Sequence, residues 1–121
     1  MVRIQLGAQM KIKIIRDNEK IHKNELVELA QEFYVDMVKG VVDIEKEIIA
    51  LGGEWHIDAN QVLIEDGSLQ KNLWGFNINL DGRIEHISLI NIRPLQNNRT
   101  LEVEDPSIRE KMNIVIKKLV I

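Results

Sequence analysis

The chain contains no cysteine, which excludes disulfides, thiolate metal sites and cysteine nucleophiles. It has no apolar run near the roughly 20 residues that a membrane-spanning helix needs. Nor does it open with a charged leader, an apolar stretch and a small-residue cleavage site of the secretory kind. Its charge is nearly balanced, net −3 at pH 7, so it lacks the basic face that general nucleic-acid binding requires. It shows no glycine-rich phosphate loop, nucleophile-elbow serine, internal repeat or low-complexity tract. These absences predict a cytoplasmic protein that engages neither membrane nor nucleic acid.

What is present builds a globular core. Hydrophobic residues make up 45% and charged residues 29% of the 121 positions, the balance and length of one domain. Residues 1–9, MVRIQLGAQ, read as a leader or extension, because Met10 opens MKIKII, whose alternation is that of a strand. A single domain over 10–121 is therefore expected.

Asn24 is placed to cap a short helix, ELVELAQEF. Asp36 is placed to cap a second helix running to Leu51 and ended by Gly52-Gly53, with apolar positions from Met37 to Leu51 at helical spacing. Two hairpins are then expected. EWHID and QVLIE flank Ala59-Asn60, and LWGFNINL and RIEHISLINI flank Asp81-Gly82, a strong type I′ signal. Asp105-Pro106 opens a last helix with the stripe Ile108, Met112, Val115, Ile116 and Leu119. The order β-α-α-β-β-β-β-α predicts an α+β fold, a mostly antiparallel sheet of about five strands with helices packed on one face.

Three groups of residues are candidates for chemistry. Glu45 falls inside the apolar arc of the expected second helix, where a lone buried charge is too costly to stand unpaired. It reads as a general base or metal ligand, as half of a buried pair with Arg93, or as part of a groove or dimer interface. Glu54, His56 and Asp58 alternate and so share one strand face, with Glu65 opposite Glu54. Two carboxylates and one imidazole suit a divalent metal such as Mg, Mn, Zn or Fe; a merely solvated face is the simpler and favoured reading. In INIRPLQNNR, Asn91, Arg93 and Arg99 offer the forks and amides that a small anion needs, or a polar plug for loop backbone groups. Asn77 and His86 are expected as neighbours on the polar face of the second hairpin, and neither Ser68 nor Ser88 sits in a nucleophile pattern.

The runs DMVKGVVDIEKEIIALGGEWHIDANQVLIEDGS, LWGFNI, INIRPLQNNR and VEDPSIREK resemble an uncharacterised family of small prokaryotic proteins carried as a domain of unknown function. The resemblance extends from Met10 to the C-terminus. It implies a prokaryotic single-domain α+β protein and supplies no activity, cofactor or site residue. Two functional readings follow from the residues. One is a binding or interaction module, with an unidentified small-molecule ligand or a homodimer formed through a sheet edge or the Trp-bearing hairpin. The other is a metal-assisted hydrolase or small-anion-binding enzyme, with Glu45 as base or ligand, His56 and Asp58 as ligands and Arg93 as anion clamp.

Overall fold

A computed structural model describes residues 11–121, so the leader reading of 1–9 lies outside the described residues. The α+β class and the five antiparallel strands are as expected. The element order is not: it runs β1 (Ile12–Ile15), α1 (Lys23–Gln31), β2 (Met37–Asp43), β3 (Ile48–Gly52), α2 (His56–Glu65), β4 (Leu73–Asn79), β5 (Ile84–Glu85), α3 (Pro106–Leu119). The strands lie in the order β1-β3-β2-β4-β5, every neighbour antiparallel. Among the described residues no helix is long and apolar enough to cross a membrane.

The first correction concerns 36–51, which forms a hairpin and not a helix. Val42 pairs with Ile49, Val41 with Ala50 and Gly40 with Leu51. These strands occupy the middle of the sheet and are covered on both faces, so Val41, Val42, Ile49, Ala50 and Leu51 are all fully buried. A strand buried on both sides loses the period of two and reads as a continuous apolar run. The turn is made without glycine. Asp43 Oδ1 accepts from the backbone N–H groups of Glu45 (3.0 Å) and Lys46 (2.9 Å), and Glu47 takes a left-handed φ of 57°.

The second correction concerns EWHIDANQVLIE, which is helix α2 and not a hairpin. Its inner face is His56, Ala59, Asn60 and Leu63, spaced i, i+3, i+4, i+7, all buried. Asp58 starts it, folding back to accept from the N–H groups of Glu54 and Trp55. In consequence the helices are not on one face. α1 and α3 bury Leu26, Ala30, Met112, Val115, Ile116 and Leu119 against Val38, Val42, Ile49, Leu51, Trp74 and Phe76. Ala59 and Leu63 of α2 cover Val41, Ile48, Ala50 and Leu73 on the opposite side.

A turn forms at Asp81-Gly82, but it is one residue longer than the expected two-residue loop, and only Gly82 takes a positive φ, so it is not the expected type I′. Asn79 N–H bonds Arg83 O, and Asn77 pairs with Glu85, not with His86. β5 ends after two residues, and the chain continues through short 3-10 turns at Leu89–Asn91 and Pro94–Gln96. Asp105 caps α3 as expected, accepting from Ser107 N–H at 2.8 Å.

Candidate functional site

The residues expected to form a site are dispersed. Glu45 is exposed on the β2–β3 turn, and its place in an apolar arc vanishes with the helix that defined the arc. Glu54 is exposed, and Asp58 is committed to the start of α2. Only His56 of that triplet is buried. Among the described residues no three His, Asp or Glu side chains are grouped so as to hold a metal ion. Arg93 bonds neither Glu45 nor Asp105. Ser88 Oγ accepts from Ile90 N–H, and Ser68 Oγ is buried without a partner among the described residues. His86 Nε2 bonds Asn113 Oδ1 at 2.7 Å.

Asn91 and Arg93 do a different task from anion binding. β5 covers only Asn77 and Ile78 of β4, so the outward backbone groups of Leu73 and Gly75 have no strand beside them. The Asn91 carboxamide supplies the missing bonds, accepting from Gly75 N–H at 2.8 Å and donating to Gly75 O at 3.1 Å. Arg93 Nη2 donates to Leu73 O, while Nε and Nη1 donate to the carbonyls of Ile90 (3.0 Å) and Gln70 (2.8 Å). Its guanidinium carbon lies 4.0 Å from the Trp74 ring centroid, and burial lowers its pKa to about 10, still charged at neutral pH. Gly75 makes this close approach possible: a Cβ there would stand 2.5 Å from Ser88 Cβ. Arg99 is exposed, and its backbone N–H is held by Glu104.

The chemistry left unspent is on the α2 side of the sheet, where a cleft of about 410 Å³ opens between α2, the ends of β2 and β4, and the Ser88–Ile90 segment. His56, Lys39 and Asn77 form its polar floor. His56 is 8% exposed, with Nε2 at 2.8 Å from Phe76 O. A carbonyl only accepts, so Nε2 carries the hydrogen and Nδ1 is an acceptor. Burial pushes the imidazole pKa down to about 4 despite the bonds of Phe76 O and the Asn77 side chain, and the charge of Lys39 pushes the same way as burial. The ring is neutral at pH 7.

Lys39 and Asn77 are cross-strand partners on β2 and β4. Burial lowers the Lys39 pKa from its ordinary value, against the pull of Glu85. Its Nζ sits 4.9 Å from the Tyr34 ring centroid, and none of the ion pairs among the described residues includes it. Asn77 Oδ1 is sealed from solvent, and the Asn77 side chain bears on His56, whose charged form it favours. The walls are apolar and open to solvent: Trp55 is 59% exposed, and Ile57, Leu89 and Leu101 are exposed as well.

Residues 13–119 match the model of a family described as "Protein of unknown function (DUF5674)". No curated protein and no solved structure matches the chain.

Proposed function

We propose that this chain, which belongs to that family of unknown function, is a binding module that holds a small amphipathic molecule in the α2-side cleft. One observation carries the reading: the Lys39 ammonium, outside every ion pair among the described residues, lines a cleft whose apolar walls Trp55, Ile57, Leu89 and Leu101 stand exposed. A few convergent polar groups under aromatic and aliphatic walls are the usual make-up of a small-molecule site, and the cleft volume lies within the usual range of about 300–1,000 Å³. Metal-assisted hydrolysis is less well supported. It needs Glu45, His56 and Arg93 to converge, whereas Glu45 stands on a turn and Arg93 is spent on backbone carbonyls.

The test uses the two tryptophans. Trp55 borders the cleft and Trp74 is buried at 1% exposure, so Trp74 emission serves as a constant background. Titration of the full chain with 1-octanol is expected to give a saturable change in emission. Trp55→Phe should remove the signal and Leu89→Asp should remove the binding. A linear, non-saturating response in the wild type refutes the proposal.

A further inference from the structure

Resting on the cleft reading, we propose that the occupant is a medium-chain fatty acid, its carboxylate anchored by the Lys39 ammonium and its tail covered by the apolar walls. Charge is the first ground. The chain has 19 acidic and 16 basic residues, yet among the residues lining the cleft Lys39 is a cation and none is an acid. His56 adds no charge, because its ring is neutral at pH 7. Lys39 enters none of the ion pairs among the described residues. Its ammonium faces the Tyr34 ring at 4.9 Å, a contact that supplies no counter-ion. Glu85, the acid whose field reaches it, lies across Asn77 on β5 and does not line the cleft. Burial disfavours the charged form of Lys39, and an anion set beside it offsets that cost.

Other head groups meet this floor less well. An alcohol brings no counter-charge, and an amine sets a second cation beside Lys39. A phosphate monoester carries a charge of about −1.5 to −2 at pH 7 and three acceptor oxygens, which call for arginine forks or several converging donors. No arginine lines the cleft, and Arg93 is spent on the carbonyls of Ile90, Gln70 and Leu73. Asn77 Oδ1 is sealed from solvent, so it takes no part in the choice. A single ammonium matches a single carboxylate. The tail then lies along Trp55, Ile57, Leu89 and Leu101, and covering these exposed side chains removes apolar surface of both partners from water.

The experiment titrates the full chain with octanoate, 1-octanol, octylamine and octyl phosphate, read by Trp55 emission and calorimetry. Octanoate should bind tightest, by about tenfold over 1-octanol, as a hydrogen bond to a charged group is worth, with octylamine weakest. Lys39→Met should weaken octanoate by about tenfold and leave 1-octanol unchanged. Hexanoate should bind more weakly than octanoate, by about fourfold for each CH2 removed. 1-Octanol or octylamine binding as tightly as octanoate overturns the acid while the cleft itself stands. Octyl phosphate binding tightest overturns the carboxylate in favour of a phosphate head, and unchanged octanoate affinity in Lys39→Met overturns the anchor. Failure of all these ligands to bind saturably to the wild type overturns the cleft reading instead. The wild-type series decides the matter even where the variant misfolds. A blocked tripeptide ending in leucine that outbinds octanoate overturns the fatty acid in favour of a peptide C-terminus.

Discussion

Acidification should destabilise this protein through His56 first. The folded pKa is depressed to about 4 by burial, against about 6.5 in an unfolded chain. Between those values the unfolded state binds a proton and the folded state does not, so stability falls as pH drops through the window. The full loss is about 3 kcal/mol by pH 4, and about 2 kcal/mol of it is gone at about pH 5. Glu25, Glu104, Asp81 and Asp105 have lowered pKa values, so their contributions disappear below this range. The matched control is His56→Gln, which keeps a donor for Phe76 O but does not titrate. Urea denaturation of both proteins at about pH 7.5, 6 and 5 should show the wild type losing about 2 kcal/mol more than the variant across the series. Parallel curves refute the reasoning, because they mean that His56 is protonated as easily folded as unfolded.

Other consequences can be checked by the same denaturation. Glu45→Ala should change stability by less than about 0.5 kcal/mol, as for an exposed turn position. Asp43→Ala, which removes the acceptor for two turn N–H groups, should cost about 1–3 kcal/mol; the reverse ranking contradicts the β2–β3 hairpin. Gly40→Ala drives a methyl to within 2.4 Å of Phe76 Cζ and 2.8 Å of Leu51 Cδ2 and should cost about 1–3 kcal/mol by overpacking, read as a lowered melting temperature. Asn91→Ala leaves Gly75 N–H and C=O without partners and should cost roughly 2–4 kcal/mol, whereas Arg99→Ala should be close to neutral.

The parts of the fold that announced themselves were those with local chemistry of their own. Asp105-Pro106 fixes α3, Asp81-Gly82 fixes a turn, and the alternation in MKIKII marks β1, which is Ile12–Ile15. The two misread segments share a physical cause, burial that erases or disguises periodicity. In 37–52, strands covered on both faces present Val and Ile on consecutive positions, and the turn between them relies on Asp43 and a left-handed Glu47 in place of glycine. The β-branched enrichment was the available signal. In 54–65 the buried face of α2 contains His56 and Asn60, while Trp55 and Ile57 point to solvent, the reverse of what hydrophobicity suggests. His56 was legible as chemistry, but the cleft was not. Lys39 and Asn77 are ordinary surface types in sequence and become unusual only when β2 pairs with β4.

The arrangement at the β4 edge also governs how the sheet ends. A backbone strand laid beside Leu73 and Gly75 would present its own outer row of N–H and C=O groups, and so invite another strand from a neighbouring molecule. Asn91 and Arg93 satisfy the same atoms with side chains, which have no further strand to offer. They act as chain terminators of sheet growth. Removing both should therefore expose a template and turn a loss of stability into concentration-dependent polymerisation, with the onset set by encounters between molecules rather than by unfolding of one.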